Sequence, residues 1–352
     1  MFTAEWIEQV SSELHYNDKN LIEKVIRALS LLEMLVKAGC PLVFKGGTAL
    51  MLILGKSAHR LSIDIDLICP PGTNIEDYLK SFADFGFINL ELVERKQRDD
   101  ADIPKSHSKF FYQIAYRNDT DAQSYILLDV LYEDIHYFRT QQIAINCPFI
   151  RLEGKPLMVT VPSAEDFLGD KLTAFAPNTT GIPYYRNGRS CSMEIAKQLY
   201  DVGRLFENVS DLQITKEAFR KIAVVELSYR SFGTDIGQVF NDIRQTALCI
   251  STRGKAGEGD FDLIQDGIIR VKSFMYKQRY LIDHAIIDAA RAAYLATLIE
   301  KGINEIESYS NNPADIKDMV IRPSLPNKLN KLRSNLPEAY YYWAKTSELL
   351  EA

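Results

Sequence analysis

Two groups of residues in this chain have the types and spacing for phosphoryl chemistry. The first is Gly46-Gly47-Thr48, which follows the apolar run Leu42-Val43-Phe44 and Lys45. A glycine pair that opens a helix leaves bare backbone N–H groups, and such a terminus holds phosphate well. The second is Asp64 and Asp66, set among Leu61, Ile63, Ile65, Leu67 and Ile68. Carboxylates at i and i+2 of a strand point to one face, a placement suited to sharing divalent cations. Their apolar neighbours bury the opposite face, and like charges beside a core repel unless a cation offsets them. Plain turn chemistry accounts for many Gly-Gly pairs, and a helix cap or surface salt bridge for many paired aspartates. Together the two groups make the minimum kit for moving a nucleotidyl group.

Asp129 is a single carboxylate in the apolar run Ile126–Leu131. Burying an unpaired charge costs several kcal/mol, so it either serves a cation or ends its strand early, beside Glu133 and Asp134. Lys45 can neutralise phosphate or sit as a strand-edge charge. Arg60 and Ser62 flank the aspartates, either to contact triphosphate oxygens through the guanidinium fork or to orient Asp64. Further on, Ser163 and Asp166 read as the start of a helix. That helix carries Lys171, with Leu168, Leu172 and Phe175 as its buried stripe; most such lysines are solvated. Lys197, Asp201 and Arg204 share one helical face, where a ladder of salt bridges is the ordinary reading.

These residues need elements to position them. Apolar spacing predicts helices over residues 4–16 and 19–38, the second with Leu21, Val25, Leu29, Leu32 and Val36 as its core stripe. A short strand at 42–44, a helix at 48–54 and a strand at 63–68 carry the two motifs. A helix over 75–84, a strand near 88–94, a charged loop over 95–108 and strands at 110–116, 124–131 and 157–161 follow. The cluster Arg117-Asn118-Asp119-Thr120 reads as a turn. From Pro162 onward the pattern turns helical: 163–176, 191–207, 214–229, 234–248, 260–276, 279–303 and 337–350. Ser251–Asp260 is glycine-rich but lacks P-loop spacing, and reads as a linker. A boundary therefore falls near 162, giving a domain of 1–162 and a helical domain of 163–352.

The chain has 352 residues, 46% of them hydrophobic, with a net charge of −6. That length accommodates two domains, and the charge excludes a globally basic nucleic-acid binder. Five scattered cysteines without C-x-x-C spacing suggest a reducing compartment and no structural zinc. The N-terminus has no basic and apolar leader pattern, and no apolar run nears the roughly 18 residues that span a bilayer. A cytoplasmic protein without membrane contact is expected. Five histidines (His15, His59, His107, His136, His284) show no metal-ligand spacing, and no nucleophile–histidine arrangement can be nominated. Arg322, Lys328, Lys331 and Arg333, followed by Tyr340-Tyr341-Tyr342-Trp343, read either as a grip on single-stranded nucleic acid or as helix packing.

The stretch from Phe44 to Ile68 resembles the hG[GS]…Dh[DE]h signature of the DNA polymerase beta-type nucleotidyltransferase superfamily. More narrowly, it resembles the AbiEii/AbiGii-type nucleotidyltransferase toxins of bacterial abortive-infection and toxin–antitoxin systems. The matching residues are Lys45, Gly46, Gly47, Thr48, Ala49, Leu50, Arg60, Ser62, Asp64, Ile65, Asp66 and Leu67. Sixteen residues separate Gly47 from Asp64, slightly above the family pattern, with the surplus at Gly55–His59. The segment Lys197–Phe206 resembles a further family motif but has Gln198 where an acid is usual.

The resemblance implies an α+β fold, a mixed sheet with helices, followed by a C-terminal helical bundle that completes an active-site cleft. It implies Mg²⁺, with Mn²⁺ as a substitute, held by Asp64, Asp66 and Asp129. It places a nucleoside triphosphate on Gly46, Gly47 and Thr48 with help from Lys45, Arg60 and Ser62. Lys171 would sit near the triphosphate, with Asp201 positioning it or the acceptor hydroxyl. It implies transfer of NMP to an RNA acceptor, with the tRNA 3′ end leading, and a cognate antitoxin as partner. Transfer to a protein hydroxyl or a small molecule such as an antibiotic is the enzymatic alternative. A non-catalytic binding module that retains the fold is the alternative of another class.

Overall fold

The computed structural model describes residues 3–92, 105–115, 122–151, 154–209, 211–230, 233 and 235–352. The turn expected at Arg117–Thr120 and most of the expected loop lie outside these residues. The chain divides into two compact units, Met1–Ser163 with Phe274–Arg279, and Ala164–Ser273 with Tyr280–Ala352.

The first unit opens with helices α1 (Ala4–Leu14) and α2 (Lys19–Lys37). Each starts at a side-chain cap: Thr3 accepts from the N–H of Trp6, and Asp18 from that of Leu21. Leu21, Val25, Leu29 and Leu32 of α2 are buried, as the stripe predicts. Strand β1 (Val43–Lys45) runs straight into helix α3 (Gly46–Leu54), which begins two residues earlier than the apolar pattern suggests. Strand β2 (Ile65–Cys69) follows.

Where a helix over 75–84 is expected, two 3-10 turns stand instead, Ile75–Tyr78 and Phe82–Phe85. Ile75 and Leu79 are buried but nothing apolar in the second turn is, so no continuous stripe supports a longer helix.

Strands β3 (Asn89–Leu92), β4 (Lys105–Gln113) and β5 (Gln123–Tyr132) complete, among the described residues, a five-stranded sheet of order β1-β2-β5-β4-β3. The β2–β5 pair is parallel and the other pairs are antiparallel. Strand β4 thus begins inside the stretch 95–108 that reads as a loop. Its first residues are polar, yet Lys105 pairs with Leu131 and Ser108 with Leu128. A backbone ladder needs a partner strand, not apolar side chains. Helix α2 packs on β2 and β5, and alternate residues Phe110, Tyr112, Ile126, Leu128 and Val130 are buried. Strands β6 (Thr140–Ala144) and β7 (Met158–Pro162) form an antiparallel pair, with β7 beside β1. β6 carries little apolar signal and is not legible as a strand. Phe274–Arg279 joins this unit through two backbone bonds: the Leu61 N–H donates to Phe274 (2.8 Å) and the Tyr276 N–H to His59 (3.0 Å).

The second unit contains α4 (Ala164–Ala174), the small hairpin β8 (Tyr185–Arg186) and β9 (Arg189–Ser190), then α5 (Ser192–Phe206), α6 (Leu212–Ser228), α7 (Ile236–Ser251), α8 (Phe261–Val271), α9 (Ile282–Lys301), α10 (Leu332–Asn335) and α11 (Pro337–Glu351). Helix α9 packs against α5, α7 and α11, and its small residues Ala289, Ala290, Ala292, Ala293 and Ala296 are all buried. Gly203 lets α5 approach it closely, since a Cβ there would lie 2.0 Å from Asp288 Oδ1. The C-terminal aromatics follow the helix-packing reading. Tyr340, Tyr341, Tyr342 and Trp343 are buried in α11, with the Trp343 indole N–H on Ser251 Oγ (3.0 Å) and the Tyr340 hydroxyl on the Met319 carbonyl (2.9 Å). Their faces are spent on packing, so none is open to stack a base. No helix among the described residues is long and apolar enough to cross a membrane.

Candidate active site

The sheet brings four chemically capable residues into one transverse row. Lys45 on β1 pairs with Asp66 on β2, Asp66 pairs with Asp129 on β5, and Asp129 pairs with His107 on β4. Directly paired residues project to the same face of a sheet. On β2 and β5 the residues flanking the aspartates, Ile65, Leu67, Leu128 and Val130, are buried, so strand alternation turns both carboxylates to the opposite, open face. Carboxylates that project side by side from neighbouring strands repel one another. Adjacent positive charge offsets such repulsion, and the row sets Lys45 beside Asp66 and His107 beside Asp129. Asp129 is not at a frayed strand end, as one reading of the sequence allows. It lies within β5, a third exposed, with Oδ1 2.5 Å from His107 Nδ1.

The Gly46 turn faces this row. A Cβ on Gly46 would lie 2.0 Å from Asp66 Oδ2, and the residue has φ +78°, where side chains are strained. Only glycine lets the start of α3 lie against the Asp66 carboxylate. Gly47 is crowded in the same way by Ser62, whose Oγ would be 2.7 Å from an added Cβ, and by the Arg60 guanidinium at 3.0 Å. Arg60 is buried and donates to the Leu61 carbonyl (3.0 Å). Asp64 is half-buried one residue before β2, and its carbonyl accepts from Thr48 Oγ1 (2.7 Å). Thr48 therefore ties α3 to the aspartate segment. The structure thus gathers Lys45, Gly46, Gly47, Thr48, Arg60, Ser62, Asp64, Asp66 and Asp129 within one unit.

Among the described residues no group of three or more His, Cys, Asp or Glu side chains converges to hold a metal. Asp66 and Asp129 still fit a divalent cation of the Mg²⁺ kind. Mg²⁺ is ordinarily held by one or two carboxylates, with water and substrate phosphates filling its shell.

In the helical unit, Lys171 on α4 meets Asp201 on α5 with Nζ 3.1 Å from Oδ2, and both side chains are buried, at 7% and 2% exposure. Lys171 is thus not a solvated surface lysine. Arg204, also on α5, points elsewhere, to Glu207 just past the helix end (2.8 Å) and to Asp288 on α9 (3.4 Å). A buried pair of this kind is strongly committed, because removing one partner leaves an uncompensated charge.

The profile of the nucleotidyl transferase AbiEii toxin family, of type IV toxin–antitoxin systems, matches residues 29–315. The chain belongs to this family. It is a nucleotidyltransferase of a toxin class, and its AbiEii membership carries a nucleoside triphosphate as donor and an antitoxin as companion in general terms. Solved structures similar to it include JHP933 from Helicobacter pylori, with 16% identity over 82% of this chain and 92% of that one, TM-score 0.40. A second is a nucleotidyltransferase structure from H. pylori, with 16% identity over 82% and 95%, TM-score 0.39. A third is MenT4, a nucleotidyltransferase toxin from Mycobacterium tuberculosis H37Rv, with 15% identity over 85% and 90%, TM-score 0.42. No curated protein matches this chain. Within the AbiEii chain, His107 is the site neighbour that sequence spacing misses. It lies in a stretch that reads as a loop, and only the β4–β5 register brings it to Asp129.

Proposed function

We propose that this AbiEii-family chain transfers a nucleoside monophosphate from a nucleoside triphosphate to an RNA acceptor, with the tRNA 3′ end as leading acceptor, and that it requires Mg²⁺ or Mn²⁺. The observation that carries the reading is the in-register pair Asp66–Asp129 on the open sheet face, with the Gly46 Cα against Asp66. The metal, when bound, supplies Lewis-acid stabilisation of the transferring phosphoryl group and activation of the acceptor hydroxyl.

The chain's own residues have distinct tasks in this reading. Asp66 and Asp129, joined by Asp64, hold the cation. The Gly46–Thr48 backbone at the start of α3 offers N–H groups to the triphosphate. Lys45, Arg60 and Ser62 add donors to phosphate oxygens. Lys171 is the cation of the helical unit assigned to the triphosphate, and Asp201 fixes its position through the 3.1 Å contact. Little covalent work falls to these groups; positioning and electrostatics supply the acceleration. The proposed division of labour is a sheet-bearing nucleotide domain followed by a helical domain that contributes Lys171 and Asp201.

The test is incubation of purified protein with each labelled nucleoside triphosphate and total cellular RNA, with and without EDTA. Metal-dependent label at tRNA 3′ ends is the expected result. Label appearing only in protein or small molecules would transfer the same chemistry to another acceptor. No label anywhere, with Asp64→Ala and Lys171→Ala as growth-inhibiting on expression as the parent, would leave a binding module.

A further inference from the structure

We propose that His107 is the positioning residue of the Asp129 carboxylate. The inference rests on the nucleotidyl-transfer reading of the Asp66–Asp129 pair and adds a residue to it. His107 sits directly across from Asp129 in the β4–β5 register, and its Nδ1 is 2.5 Å from Asp129 Oδ1. An ionised carboxylate only accepts hydrogen bonds, so the imidazole donates Nδ1–H here. The His107 ring is itself held, with its side chain only 10% exposed, whereas Asp129 is 33% exposed. The better-buried group therefore fixes the more open one.

This arrangement has a consequence for cation binding. Unrestrained, a partly exposed aspartate samples several rotamers, and a cation must select one at an entropic cost. With Oδ1 taken by His107, the carboxylate is held in one orientation and Oδ2 remains for the cation. Groups that orient metal-bound carboxylates and imidazoles in this way typically change affinity or activity 10- to 100-fold. A cross-strand His–Asp pair that served the sheet alone would contribute only its ordinary pairing energy. In the row Lys45–Asp66–Asp129–His107, a lysine and a histidine close the two ends of the aspartate pair.

Two amide substitutions separate the roles. Asparagine places an N–H donor near the Nδ1 position of histidine, and glutamine carries it one bond further out. Mn²⁺ alone, titrated against metal-free protein and followed by electron paramagnetic resonance, reads the site without turnover. His107→Gln is expected to weaken Mn²⁺ binding and nucleotidyl transfer about tenfold or more, and His107→Asn to stay within about threefold of the parent. Nitrogen-15 spectra of the histidine rings in the metal-free parent should show His107 protonated at Nδ1, a signature altered by Asp129→Asn. Parent-like Mn²⁺ affinity in His107→Gln, equal losses in both amides, or a His107 ring protonated only at Nε2 would each overturn the proposal. Asp66→Asn keeps the two levels apart. If it abolishes transfer while His107→Gln leaves Mn²⁺ affinity and transfer untouched, only the His107 inference falls. If Asp66→Asn transfers normally, the underlying site reading falls.

Discussion

At the residue scale, Gly46 ties conformation and chemistry together. Gly46→Ala places a methyl group on the Asp66 carboxylate and forces a non-glycine residue to φ +78°. The backbone term alone is about 1–2 kcal/mol. The expected outcome is a lower melting temperature together with loss of transfer, read by differential scanning calorimetry and labelled-nucleotide incorporation. Asp66→Asn and Asp129→Asn should instead leave melting close to the parent and cut transfer on the order of 10²–10³-fold; a residual rate within threefold of the parent would remove either residue from the reaction. Lys171 presents a different problem, because its buried bond to Asp201 makes any single substitution ambiguous. Lys171→Ala is expected to destabilise by about 3–5 kcal/mol, since Asp201 is left charged and buried. The double change Lys171→Met with Asp201→Leu should recover most of that stability in urea titrations. If transfer returned with it, the pair would be structural only.

At the element scale, the apolar runs 42–44, 63–68 and 124–131 are legible as strands because a buried face demands alternation or continuity. The strand status of Lys105–Ser108 and of Thr140–Ala144 is not legible, because their side chains are polar and their pairing partners are distant in sequence. The helix expected over 75–84 fails for the complementary reason: its apolar residues bury only one turn. Helix α7 gives an element-level prediction. Asp242 is buried and accepts from the Asn178 N–H, the Asn178 amide, Thr179 and Thr246. Burial outweighs these bonds and pushes its carboxyl up from the ordinary value. The folded state therefore holds this proton where the unfolded chain has released it. Its contribution to stability is complete below the usual carboxylate range and is lost as pH rises through the raised folded value. Urea midpoints measured from neutral pH down to the upper edge of the carboxylate range should show that gain on acidification, and Asp242→Asn should flatten it. A parent-like slope in the variant would assign the gain to other groups.

At the scale of the whole molecule, the first unit borrows Phe274–Arg279 from the far side of the helical sequence. Tyr276 is buried there, its ring edge-on to Phe149 (5.2 Å) and its hydroxyl on the Ala58 carbonyl. Tyr276→Ala should destabilise the first unit by about 3–5 kcal/mol. Hydrogen exchange is expected to accelerate in β1, β2 and β5 while α9 stays protected; uniform acceleration would contradict that. Bound donor should stabilise the protein as a whole. Mg²⁺ with nucleoside triphosphate at about 100 times its dissociation constant adds roughly 2.7 kcal/mol, and EDTA should remove the corresponding rise in melting temperature.

The sequence by itself determined the chemistry: a glycine pair, two aspartates two apart and an isolated Asp129, together with the family those residues resemble. Local spacing suffices there, because Gly46-Gly47-Thr48 and Asp64 with Asp66 lie close along the chain and can be read without a fold. Tertiary structure supplied what the resemblance only implied, the Asp66–Asp129 register and the burial of Lys171 on Asp201, and alone decided that His107 reaches Asp129 and that the C-terminal aromatics face inward. Each depends on register or packing between segments far apart in sequence, and a one-residue slip would turn the same side chains to the opposite face.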